Sequence, residues 1–319
     1  MRSLRVSIAL ALMAGLGFGV SQGVAQEDTT LRVDVDIVNL LFSVRDKKSG
    51  LIGNLEKEDF TILEEGQEQT IKFFTRETDL PLTIGLLVDV SRSQENLIEV
   101  EKEAATQFFS KVLRPKDMAF LISFGSEAEL LQDYTNSAQQ LRAGLDDLRV
   151  IAQPSGGILR PGPVPTANKP KGTLLYDAIY LASTEKLRQE VGRKAIVVIT
   201  DGVDMGSHYS RSDAIEAAHR SNAIIYSIYY SDPRYWGGSD GDLKRMSEDT
   251  GGRVFRVNKK NSLDDIFTQI QEEMRSQYSI GYTPTNPEKD GSFREVEVRV
   301  NRKDAKVQAR KGYYATPNP

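Results

Sequence analysis

Cysteine is absent from this 319-residue chain, which has two histidines and one tryptophan. The first absence excludes disulfides, thiolate metal centres and a lipid-bearing cysteine at a processed N-terminus. His208 and His219 make no zinc cluster, and no Gly-x-Ser-x-Gly elbow surrounds Ser91, so a hydrolase triad built on that serine is poorly supported. Neither sign of charge dominates: 41 basic residues face 45 acidic ones, for a net charge of -4. No basic stripe with interleaved aromatics is present, which argues against nucleic acid as a partner. Beyond the first 25 residues, no segment approaches the ~20 apolar residues that a membrane-crossing helix needs.

Residues 1–25 carry Arg2 and Arg5, an apolar stretch from Ser7 to Val20, and Gly23-Val24-Ala25. This is the pattern of a secretory signal peptide cleaved near Ala25, with no transmembrane segment afterwards. The expected location is exported, either periplasmic or secreted. Stability without disulfides must then come from hydrophobic cores, and the length allows more than one.

Residues 26–79 alternate apolar and polar side chains, as in Val33 to Val44 and Asp59 to Leu63, broken by Lys47-Lys48-Ser49-Gly50 and Glu65-Gly66. Residues 276–319 behave likewise at Gln277 to Tyr282, Phe293 to Val300 and Ala305 to Arg310. Both segments are predicted to be β, and to pair into one small β-sandwich-like module because few-stranded sheets are marginal alone. Residues 80–275 instead alternate strand and helix patterns: strands at Leu82–Val88, Met118–Phe124, Glu129–Tyr134, Ala195–Thr200 and Ala223–Tyr229, with helices at Asn96–Leu113, Ser137–Leu148 and Thr173–Glu190. Further helices are expected around Ser212–Arg220, Asp240–Glu248 and Leu263–Arg275, with a short strand at Arg253–Val257. That order predicts an α/β domain with a doubly wound, mostly parallel sheet and helices on both faces.

Three fragments of this domain carry candidate chemistry: Asp89-Val90-Ser91-Arg92-Ser93 after one apolar strand, Thr173 at the start of a helix, and Asp201-Gly202 after a second apolar strand. Near-continuous apolar runs suit parallel strands covered on both faces, and such strands deliver their last residues to one ligand-binding edge. Asp89, Ser91, Ser93, Thr173 and Asp201 form an all-oxygen set of the kind hard cations prefer. Two carboxylates neutralise a divalent ion only in part, so an open site completed by water or a ligand is expected.

At these residues the chain resembles the von Willebrand factor A domain, whose metal-ion-dependent adhesion site reads Asp-x-Ser-x-Ser, then a distant Thr, then a distant Asp. The resemblance implies a Rossmann-like fold and a bound Mg2+, with Mn2+ or Ca2+ as alternatives. It also implies that Ser91, Ser93 and Thr173 contact the ion directly or by a conformation-dependent switch, and that Asp89 and Asp201 act largely through bound water. A partner protein would supply an Asp or Glu to the same ion. The layout resembles a group of bacterial exported relatives in which a β leader with an Asp-Phe-x-x-x-Glu-x-Gly pattern, here Asp59 to Gly66, precedes the A domain; the matching tail is Arg310-Lys311-Gly312-Tyr313-Tyr314. The expected function is metal-dependent, adhesion-type protein binding without catalysis. A structural or assembly module of the cell envelope with no obligatory metal is the alternative, and a metal-assisted hydrolase is a weaker third.

Other candidates carry less. Ser183 to Lys186 matches Ser-x-x-Lys formally, without companion motifs. His219, near a helix end, reads as a surface or half-buried histidine favoured as a cation by the dipole, and His208 as able to approach the metal edge. Asp177 and Asp204 are expected to tune the field at the metal, or else to orient loops or pair with Arg92. Tyr229-Tyr230, Tyr235-Trp236 and the Pro/Gly-rich insertion from Gln153 to Pro170 fall on the metal-bearing edge. Tyr235 and Trp236 are the candidate partner contacts.

Overall fold

Fourteen strands and six α-helices follow from these patterns in the computed structural model, which describes residues 37–48, 50–77, 80–150, 172–235 and 238–315. The expected signal peptide, Trp236 and the insertion from Gln153 to Pro170 lie outside the described residues. Four strands come first, β1 (Val38–Asp46), β2 (Phe60–Glu64), β3 (Gln67–Gln69) and β4 (Ile71–Glu77). The α/β part follows as β5 (Leu82–Asp89), α1 (Ile98–Val112), β6 (Met118–Phe124), β7 (Ala128–Thr135), α2 (Ala138–Asp146), α3 (Leu175–Leu181), β8 (Arg193–Thr200), α4 (Arg211–Ser221), β9 (Ala223–Tyr229), α5 (Gly241–Thr250), β10 (Val254–Arg256) and α6 (Leu263–Arg275). The chain closes with β11 (Gln277–Tyr282), β12 (Phe293–Val300), β13 (Ala305–Ala309) and β14 (Gly312–Tyr314).

Every residue of β5 and of β8 is buried, as continuous apolar runs require when a strand is covered on both faces. They are neighbours in a six-stranded sheet of order β10-β9-β8-β5-β6-β7, parallel throughout except for β7, which runs antiparallel at the edge. Helices α1, α2 and α6 pack on one face, where Phe108 and Phe267 stack with ring centroids 4.4 Å apart. Helices α3, α4 and α5 cover the other through Leu175, Ala218 and Met246. The doubly wound α/β fold is thus present.

Local capping sets several helix ends. Ser210 and Asp213 form a reciprocal capping box that starts α4, and Ser262 and Asp265 do the same for α6. The helix expected to run from Thr173 to Glu190 differs in detail: α-helix occupies Leu175–Leu181, and one π-helical stretch, Ala182–Leu187, continues it.

The terminal strands form two antiparallel sheets, β13-β1-β11-β4 and β14-β12-β2-β3, each drawing strands from both ends of the chain. Leu40, Phe42, Ile62, Tyr278, Ile280 and Val296 fill the space between them. The two terminal motifs meet in this module. The buried Glu64 carboxylate accepts from the Tyr282 hydroxyl at 2.7 Å and from the Tyr313 hydroxyl at 3.1 Å, while Phe60 packs edge-on against Phe42 at 5.1 Å. Lys311 pairs with Asp249 at 2.8 Å, and Arg310 reaches Asn222 Oδ1 at 2.6 Å, so the tail also fastens the module to the α/β domain.

Candidate functional site

Register brings the two acidic strand ends together. Val88 lies opposite Ile199, which places Asp89 beside Thr200 and Asp201 at the C-terminal edge of adjacent strands. The Thr200 hydroxyl donates to Asp89 Oδ2 at 2.6 Å, and the Gly202 amide donates back to Thr200 Oγ1 at 3.1 Å. Asp89 Oδ1 accepts from the Ser91 amide at 2.9 Å, which closes the chain into a tight turn and leaves the Ser91 and Ser93 hydroxyl oxygens 3.1 Å apart. A short 3-10 turn, Arg92–Gln94, then leads towards α1.

Thr173 enters from the α3 side. The Leu174 amide donates to the carbonyl of Gly125, just past β6, at 2.9 Å. The Met205 amide donates to the Thr173 carbonyl at 2.8 Å, and the Gly172 amide donates to the Met205 carbonyl at 2.7 Å. The loop leaving Asp201 is therefore laced to the segment carrying Thr173. Gly202 enables its departure: φ is +80°, and an added Cβ would lie 2.1 Å from the Ser239 carbonyl oxygen. All three fragments thus share one edge, joined through Thr200 and Met205.

Asp89 is wholly buried, and desolvation lifts its pKa to about 7 against the opposing pull of the Ser91 and Thr200 hydrogen bonds, with Asp201 adding repulsion. A carboxylate so poorly compensated by protein cations suits a divalent ion. The donor chemistry fits as well: Asp89, Ser91, Ser93, Thr173 and Asp201 offer oxygen alone. Among the described residues no group of three or more His, Cys, Asp or Glu side chains is placed to hold a metal ion.

The neighbouring candidates resolve into loop supports. Asp204 accepts from the Ser207 hydroxyl at 2.5 Å and from the Tyr176 amide at 3.2 Å, and Asp177 accepts from the Tyr209 amide at 2.9 Å. Neither pairs with Arg92. His208 stands edge-on to Tyr209, whose ring stacks on Tyr180 at 3.6 Å. His219 is buried, more deeply than the expected surface or half-buried histidine, because Phe293 and Tyr314 of the β module pack over it; burial, with Arg310 nearby, pushes its pKa down to about 4. Ser183 is buried, while Lys186 pairs with Asp133, so these two make no nucleophile and base. Tyr235 is partly exposed, and its amide donates to the Asp232 carbonyl at 3.0 Å.

Sequence reasoning passed over Thr200, Gln94 and Glu101. Thr200 was visible only as the last residue of a strand. Gln94 and Glu101 are buried with their side-chain oxygens unpartnered, and Glu101 interrupts the apolar face of α1 between Ile98 and Ala105, a signal that helical periodicity does expose.

The profile of the von Willebrand factor type A domain family matches residues 84–203. A curated uncharacterized protein from Borreliella burgdorferi is 22% identical over 227 residues, which is 67% of this chain and 58% of that protein; the chain therefore spans little more than half its relative's length. Among solved structures, BatB from Bacteroides thetaiotaomicron matches with a TM-score of 0.46 and 19% identity over 61% of this chain and 100% of that one. Proximal thread matrix protein 1 from the mussel byssus, in a form with a zinc-occupied MIDAS motif, gives 0.47 and 15% over 66% of this chain and 49% of that one.

Proposed function

Residues 84–203 belong to the von Willebrand factor type A domain family, whose members mediate protein–protein interactions, and from that premise we propose that this chain is an exported, metal-dependent protein-binding protein. Asp89, Ser91, Ser93, Thr173 and Asp201 would hold Mg2+ or a similar divalent cation. When bound, the cation supplies one strong, localised charge for a carboxylate of the partner. The observation that carries the reading is the fully buried Asp89, held by Thr200 and the Ser91 amide beside a pair of serine hydroxyls, at the edge where Asp201 also ends.

The chain's own residues set up that role. Thr200 and the Ser91 amide orient the Asp89 carboxylate, and the Met205 exchange with Gly172 and Thr173 holds the third fragment against the second. No described helix is long and apolar enough to cross a membrane. Export rests on the signal-like residues 1–25, and the proposed division is 26–79, 80–275 and 276–319, with the two β segments serving one module.

Calorimetric titration of the mature chain with Mg2+ and Mn2+ tests the reading. Wild type should bind with a 1:1 stoichiometry, and a folded Asp89→Ala, Asp201→Ala double variant should not. Equal heats from both proteins would remove the cation from the proposal.

A further inference from the structure

The rim around the proposed cation position has two unlike sides. On the α3 side, Met205 is 61% exposed and lies over Gly172, where an added Cβ would come within 2.5 Å of its own Cβ. That side offers an apolar contact next to Thr173. The α1 side carries an exposed guanidinium, that of Arg92, with the exposed Glu95 three residues further on. Arg92 sits between Ser91 and Ser93, is exposed, and has no ion-pair partner among the described residues.

A second arginine lies on a loop that is tied to the segment following Arg92. On the loop after β9, Asp232 grips Arg234 through Nε at 2.9 Å and Nη2 at 2.6 Å, and the same carboxylate accepts from Asn96 Nδ2 at 3.0 Å. Asp232 is 4% exposed and Arg234 is 68% exposed, so a buried acid anchors an outward guanidinium. Because Asn96 follows the Arg92 turn, this one carboxylate ties both arginine-bearing loops together. The grip uses Nε and Nη2, and leaves Nη1 outside the pair. A guanidinium fixed along one edge retains a planar donor set for a further carboxylate.

Any protein surface seated over the cation must also cover Arg92. A guanidinium buried under an interface without an anion is penalised by desolvation, so partners lacking a second acid are disfavoured. We propose that Arg92 and Arg234 receive a second carboxylate from the partner, and that the occupant is an acidic peptide segment carrying its metal-bound Asp or Glu among other acids. This inference rests on the metal-dependent reading of the same edge.

Two labelled synthetic peptides test it against the mature chain by fluorescence anisotropy, one with a single Asp among Gly and Ser, the other with that Asp flanked by Glu. In MgCl2 the acid-rich peptide should bind about tenfold more tightly than the single-acid peptide. Arg92→Gln and Arg234→Gln should each cut that preference about threefold, with Mg2+ affinity retained or raised. Equal binding of the two peptides, no binding of the acid-rich peptide up to about millimolar concentration, or an intact preference in the double arginine variant would overturn the proposal. A preference that survives chelator and the Asp89→Ala, Asp201→Ala variant, yet disappears with the arginines, supports the arginine rim while removing the metal from the function.

Discussion

Asp89 and His219 are both buried, and burial moves their pKa values in opposite senses, since it always disfavours the charged form. His219 titrates near 4 in the fold, below its ordinary 6.5, so on acidification the unfolded chain takes up the proton first. Its contribution is complete above pH 6.5 and is lost as pH falls towards 4, by up to about 3 kcal/mol. Asp89, raised to about 7 from 3.8, does the reverse: the metal-free fold binds the proton more tightly than the unfolded chain, so stability declines as pH rises through that window. Urea denaturation of metal-free His219→Phe between pH 4.5 and 6.5 should therefore show stability falling with rising pH. Addition of Asp89→Asn should make that slope shallower, the buried Glu101, also raised, keeping part of it. A His219→Phe profile that still rises with pH would contradict the raised Asp89 assignment, and a wild-type profile identical to that of His219→Phe would contradict the lowered His219.

Among the elements, α1 shows most directly how a site requirement and a packing requirement collide. Ile98, Ala104, Ala105, Phe108 and Phe109 form its buried stripe, and Glu101 stands in the same stripe with 1% exposure and, among the described residues, no hydrogen-bond partner for either carboxylate oxygen. Burial, reinforced by Asp89, holds its pKa well above the ordinary carboxylate range. A buried acid without partners is costly, so Glu101→Leu should stabilise the metal-free chain by about 1–2 kcal/mol and raise its melting temperature by a few degrees. A lower melting temperature in a thermal scan would show that Glu101 has a partner that the burial argument misses. The stripe also marks how far the sequence could be read. Strands β5 and β8 were legible because their apolar runs are continuous, and Asp89 and Asp201 could be assigned to one edge because parallel strands end there. Strands β3 and β14 have three residues each and too little alternation to register, and β4 carries an exposed Phe73 in place of a polar residue. The Thr200 bridge depends on strand register, and the burial of His219 on a module packed from the other end of the chain. Neither is a local property.

Across the whole molecule, the candidate site and the β module occupy opposite ends of the central sheet. Asp89 and Asp201 stand at the C-terminal strand ends, whereas the module contacts Asn222 just after α4, Asp249 and Gly251 at the end of α5, and Glu273 near the end of α6. Glu273 is the centre of that junction: it is fully buried, pairs with Arg45 of β1 and with Arg253 at 3.1 Å, and lies 3.5 Å from the Ser43 hydroxyl. Arg193, at the start of β8, donates to the carbonyls of Met274 and Leu80 and so ties α6 to the same end. Because the charges are buried together, removal of the shared anion leaves two guanidinium groups repelling each other in a poorly solvated space. Glu273→Ala should therefore cost about 3–5 kcal/mol in urea denaturation. The same variant, titrated with Mg2+ under conditions where it remains folded, should match wild type, because the described side-chain partners of Glu273 are Ser43, Arg45 and Arg253, at the module end of the sheet. A folded Glu273→Ala chain with weakened Mg2+ binding would mean that the β module transmits to the metal edge through α6, and that the two ends are not independent.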